Sequence, residues 1–194
     1  MLYKMYKLLF FTALIGCSYQ PNNVQVQIDN SFSADKIGLI FDALDNWSVK
    51  TDQTFVVGNV DLVDGISSDS EFNTIKFINT NTTEQRIGKN LVVLGRTEYY
   101  PKTFAHPEFH IEAVVSIWND EHDDIFIVSA MHEIGHATNL GHLCSLEEAT
   151  NGYDNCQVVS IDPVDSIMHP TVEVGWTIDQ IDVYRFCELW SCRQ

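Results

Sequence analysis

His132-Glu133-Ile134-Gly135-His136-Ala137-Thr138-Asn139-Leu140-Gly141-His142 places three imidazoles and a carboxylate within eleven residues. On a helix, residues four apart share a face, with Cβ atoms about 5–6 Å from each other. His132 and His136 can therefore bind one metal ion from adjacent turns. Glu133 sits one position round, close enough to work on a water molecule at the same ion. This spacing is the H-E-x-x-H logic of metal-assisted hydrolysis.

The third histidine sharpens the signal. On a continuing helix, His142 would lie about 9 Å beyond His136 and be turned by roughly 600°, off the shared face. It joins the site only if the helix ends and the chain bends back. Such a bend needs a residue that tolerates left-handed backbone angles, glycine first and asparagine next. Asn139 stands at that place, and Gly141 adds freedom after it. A bare H-E-x-x-H arises by chance often enough to prove little; a third histidine behind a fitting breaker makes chance a poor explanation.

Downstream lies Ser166-Ile167-Met168-His169-Pro170, its methionine 26 residues past His142. With this second element the chain resembles the metzincin metallopeptidases, whose pattern is H-E-x-x-H-x-x-G-x-x-H followed by a Met-turn. Met-x-Pro is most similar to the matrixin branch. The resemblance implies an α+β zincin-like domain: a twisted mixed sheet, an active-site helix and a C-terminal helix. It also implies one catalytic Zn²⁺ on His132, His136 and His142, with Glu133 as general base and Met168 as an apolar floor. Leu91, Val92, Val93 and Leu94 would line the cleft as a sheet edge taking an extended peptide through residues 91–97. Pro170 would begin the wall of the main specificity pocket, which runs to Trp176. Matrixins often carry structural Ca²⁺, and Asp61, Asp64, Asp69 and Glu71 offer oxygen ligands, although their spacing matches no EF-hand and solvated loop carboxylates explain them as well. Three positions depart from the family. Asn139 replaces glycine, and Leu143 follows the third histidine where serine is usual. His169 replaces tyrosine, either as a solvent-facing substitution, which is the expectation, or as an extra polar group near the substrate.

The N-terminus gives an address. Lys4 and Lys7 precede the apolar run Leu8–Ile15, which is far shorter than the ~20 residues that span a bilayer. Leu14-Ile15-Gly16-Cys17 resembles a bacterial lipobox, which makes Cys17 the lipidated first residue of the mature protein; a simple secretory signal with Cys17 incidental is the alternative. The expected organisation is a signal peptide over 1–16, a lipidated tether over 17–30 and a catalytic domain over 31–194. The address is then the bacterial cell envelope, at the outer membrane where the host has one, with the membrane reached through the lipid only.

The sequence carries 11 basic against 27 acidic residues, a net charge of −16. This argues against nucleic-acid binding, which needs a basic face, and against adhesion of the domain itself to anionic lipid. A protein or peptide substrate and a monomeric chain are expected. Four cysteines remain besides Cys17, and an even number in an exported chain suggests disulfides. Proximity favours Cys144–Cys156 and Cys187–Cys192; zinc ligation by cysteine is the alternative, but the histidines already supply a ligand set.

Periodicity fills in the rest. Ile37, Ile40, Phe41, Leu44 and Trp47 follow a helical stripe, with Ser31 or Ser33 as cap. Phe55–Val57, Thr74–Ile78, Leu91–Leu94 and Phe109–Trp118 read as strands, and Asp61 to Glu71 as a loop. Asp123 or Asp124 caps the active-site helix, and Thr177-x-x-Gln180 opens the last one as a capping box. His106, His110 and His122 are assigned no metal. Zinc endopeptidase is the leading function; a catalytically inactive zinc-containing binding module at the cell surface is the alternative, and an envelope lipoprotein with a fortuitous motif the third. Glu133 argues against a pure binding site, which has no need of that carboxylate.

Overall fold

A computed structural model describes residues 23–67, 73–79, 95–99, 112–117, 122–150, 156–160, 165–171 and 173–192. The elements run β1 (Val24–Asp29), α1 (Ala34–Lys50), β2 (Val57–Val63), β3 (Thr74–Asn79), β4 (Gly95–Tyr99), β5 (Glu112–Ile117), α2 (Asp123–Ala137), β6 (His142–Ser145), α3 (Leu146–Thr150), β7 (Cys156–Ser160) and α4 (Gln180–Trp190). The first five strands form one mixed sheet in the order β2-β1-β3-β5-β4. All neighbours in it are parallel except β4, which runs antiparallel to β5 at the edge. β6 and β7 make a separate two-stranded parallel sheet. This is a mixed α/β architecture with a mixed sheet and several helices, as expected in outline.

β1 corrects the sequence reading. Residues 24–29 had the polar composition of a tether, yet they form an interior strand paired on both sides. The sequence alternates strictly: Val24, Val26 and Ile28 are buried, while Gln25, Gln27 and Asp29 are half-buried. That period of two is a strand signal which polarity alone conceals. The folded domain therefore begins at least seven residues before position 31. β2 also runs later than expected, so Asp61 lies within a strand; Phe55 sits in the preceding turn and is fully buried.

α1 forms where its stripe predicted, capped by Ser33, whose Oγ accepts from Lys36 N–H at 3.3 Å. Ile40, Leu44 and Trp47 face the core. Phe41 does not: it is 44 % exposed, at the rim of a groove it shares with Leu44, Val57 and Val60. α2 begins at Asp123 with His122, not an aspartate, in the capping position. Asp123 instead binds the buried Lys36 ammonium at 3.0 Å, which joins the first turns of α1 and α2. Two indoles fix α2 in place: Trp47 Nε1 donates to Met131 O at 2.8 Å and Trp190 Nε1 to Thr138 O at 2.9 Å. Helices before and after the motif thus hold it from two sides.

Both expected disulfides are present, Cys144–Cys156 between β6 and β7 and Cys187–Cys192 at the end of α4. α4 starts at Gln180 and not at Thr177, because the Asp182 carboxylate turns back to accept Asp179 N–H at 2.9 Å. That leaves Thr177 outside the helix.

Candidate metal centre

α2 stops where the third histidine requires. Asn139 N–H donates to His136 O at 2.7 Å and Leu140 N–H to Gly135 O at 3.0 Å. These are the two bonds of a Schellman motif, with Asn139 in the left-handed position at φ 67°. Leu140 is buried directly after it. The chain then reverses into β6, whose first residue is His142.

The reversal brings the three imidazoles together. One ring nitrogen from each of His132, His136 and His142 lies within 4.8 Å of the other two. His136 Nε2 and His142 Nε2 are 3.1 Å apart, close to the spacing of about 3.3 Å that two nitrogens on one tetrahedral zinc adopt. The opposite nitrogens are occupied: His132 Nδ1 is 2.6 Å from Ile167 O, and His136 Nδ1 is 2.8 Å from Leu140 O. Donating to these carbonyls fixes each ring's tautomer and turns an unprotonated Nε2 inward, the arrangement metal-binding imidazoles use. Burial also holds the rings neutral. It lowers His132 well below the ordinary histidine value, helped by His136; it lowers His136; and with His136 and His169 nearby it brings His142 to about 4. Neutral imidazole is the form a metal ion needs. The donor set therefore fits zinc.

Met168, expected as the floor of the site, is fully buried. A Cβ on Gly135 would come within 2.1 Å of its Sδ and 3.1 Å of the Trp47 ring. The glycine inside the motif thus lets the Met-turn press on the helix backbone. Gly135→Ala is expected to cost about 1–3 kcal/mol through overpacking and to weaken metal binding, read by thermal unfolding and zinc titration; unchanged values for both would show that the turn has room to move.

Asp182 holds that turn and was not foreseen. Its carboxylate accepts from Ser166 Oγ, from Ile167 N at 3.0 Å and, more loosely, from Met168 N at 3.4 Å. Burial pushes its carboxyl above the ordinary aspartate value, and these hydrogen bonds oppose the push. Ile167 is the residue whose carbonyl receives His132, so α4 reaches the histidine trio through one residue. Leu143 N–H donates to Met168 O at 2.9 Å, which ties β6 to the same turn.

Glu133 follows His132 on α2 and is 6 % exposed. Burial raises its carboxyl to about 7, while a hydrogen bond from Thr97 pulls the other way. Thr97 belongs to β4, so the edge strand of the main sheet borders the carboxylate directly. Only Gly95, Arg96 and Thr97 of the expected substrate strand can be described. Leu91, Val92, Val93 and Leu94 lie outside the described residues, as do Cys17, His106 and His110. Pro170 is half-buried just after the Met-turn.

His169 corrects a further expectation. It is buried, not solvent-facing: Nε2 is 3.1 Å from Glu148 Oε1 and Nδ1 is 2.7 Å from Thr171 O. The Glu148 carboxylate also accepts Ser145 N–H at 2.7 Å. A carboxylate on α3 and a backbone carbonyl thus face the two ring nitrogens of this buried histidine. Of the four calcium candidates, Asp69 and Glu71 lie outside the described residues. Asp61 accepts from Asn59 at 2.9 Å and Asp64 from Asn30 at 3.0 Å, and the histidine trio is the one convergent ligand group among the described residues.

Comparison with known proteins adds little to this geometry. Two solved structures of myroilysin superpose on the chain at 11 % identity, with TM-scores of 0.49 and 0.48. Each alignment covers 90 % of this chain, and 95 % and 86 % of the respective myroilysin chain. No family model and no curated protein matches. The functional reading rests on the side chains themselves.

Proposed function

We propose that the chain is a zinc-dependent endopeptidase of the metzincin type, most similar to matrixins, held at the bacterial cell envelope by a lipid on Cys17. The observation that carries this reading is the convergence of three imidazoles, one of them the chain neighbour of a buried carboxylate that the edge strand β4 hydrogen-bonds. His132, His136 and His142 would hold the ion. Zinc, when bound, supplies Lewis acidity toward a carbonyl oxygen and makes water a better nucleophile.

The chain's own residues do the rest. Glu133 takes a proton from the attacking water and delivers it to the leaving amine. Its position in a poorly solvated wall keeps its basicity close to neutral, where proton transfer in both directions is efficient. Among the described residues β4 is the outermost strand of the main sheet, and an extended peptide would add there through main-chain hydrogen bonds. Met168, clamped through Ile167 and Asp182, keeps the ligand rings from shifting.

A purified protein is expected to bind one zinc per chain and to cleave members of a broad peptide library, with cleavage lost on chelation and regained on adding zinc. Zinc-loaded protein that cleaves nothing would move the assignment to a binding module. Absence of zinc by elemental analysis would remove the metal centre altogether.

A further inference from the structure

Thr97 of β4 hydrogen-bonds the Glu133 carboxylate and Gly95 of the same strand leaves room for it, and neither belongs to a recognised motif. Thr97 Oγ1 donates to Glu133 Oε2 at 2.5 Å and lies 3.1 Å from the Glu133 backbone carbonyl. Gly95, two positions earlier and so on the same face of the strand, lies under the other oxygen. A Cβ there would be 2.7 Å from Glu133 Cγ and 2.9 Å from Oε1. The intervening Arg96 and the following Glu98 face the other way and pair with each other at 3.0 Å, largely exposed. The edge strand is thus notched on one side to receive a single carboxylate, with one oxygen bonded and the other lying over a residue that has no side chain.

We propose that Thr97 is a positioning residue for Glu133: its hydroxyl fixes Oε2, so that Oε1 is the oxygen that exchanges protons with water and the leaving amine. This rests on the peptidase reading of Glu133. The balance is simple. The water O–H bond breaks as an Oε1–H bond forms and the water oxygen bonds to the scissile carbonyl carbon; that proton later moves to the amine nitrogen as the peptide C–N bond breaks. Thr97 keeps its own proton throughout. An oxygen already accepting a short hydrogen bond is the poorer base of the two, and a carboxylate held at one end loses no entropy when it acts. The same strand is the edge expected to take the substrate, so a peptide lying along β4 meets a carboxylate already in place.

Two variants test this. Thr97→Val removes the hydroxyl at nearly constant shape, and Thr97→Ser keeps it. In T97V, kcat for peptide cleavage is expected to fall about 10- to 100-fold, with KM and zinc stoichiometry within twofold of wild type; T97S should recover most of the loss. Independently of activity, a high-resolution crystal structure of the metal-free protein should show one Glu133 conformer in wild type and T97S and more than one in T97V. A single unchanged conformer in T97V overturns the proposal even if the protein cleaves nothing. So does unchanged kcat in T97V, or a loss that serine does not rescue. Wild-type protein that is zinc-loaded and inert, yet shows the conformer difference, counts against the peptidase reading and leaves the positioning role of Thr97 standing.

Discussion

Glu133→Gln is expected to lower peptide turnover by about 10³-fold while leaving zinc stoichiometry unchanged. The amide matches the carboxylate in shape, and its oxygen can still accept from Thr97. What it lacks is the capacity to take a proton. The residue is no ligand of the trio, so the metal should stay. Stability should hold or rise, because the substitution removes a carboxyl whose charged form burial already disfavours. Zinc analysis, melting temperature and steady-state cleavage on one preparation are sufficient. Turnover within tenfold of wild type would mean that some other group handles the proton. Loss of zinc together with activity would mean that Glu133 supports the ligands and does not serve the water.

The second large effect lies outside the motif. Asp182→Ala leaves the buried Ser166 hydroxyl and Ile167 amide without their acceptor, and with them the part-buried Asp179 amide. Each unsatisfied buried donor costs about 1–3 kcal/mol, and the set should destabilise the fold by about 3–5 kcal/mol. For a domain of this size that is a fall of about 10 °C in melting temperature. A second readout separates simple unfolding from a role at the metal. With the Met-turn loosened, the Ile167 carbonyl no longer fixes His132, and zinc affinity measured below the melting transition should drop about 10- to 100-fold. A cost under 1 kcal/mol would show that the turn holds its shape without α4.

These two residues also mark what the sequence could and could not reveal. The convergence of the three histidines, the turn at Asn139, α1 with its Ser33 cap and both disulfides depend on partners within about a dozen residues, or on strict spacing, and all were legible. Thr97 and Asp182 act on partners 36 and 16 residues away. Neither threonine on a strand nor aspartate in a first helical turn carries any local sign of such a role. His169 was misjudged for the same reason: its burial depends on Glu148, which only the fold brings near. β1 was a different failure. Its alternation was on the page, but glutamines and an aspartate at every second position suggested a solvated linker.

The place of β1 bears on where such an enzyme would find substrate. Val24 is fixed in the sheet seven residues after Cys17. At about 3.5 Å per residue, a fully stretched leash reaches no more than roughly 25 Å. A domain acylated at Cys17 would patrol a thin layer above the lipid headgroups. Encounters would then scale with how densely targets populate that same layer, and an embedded neighbour would be met at far higher effective concentration than a free-swimming protein of equal abundance.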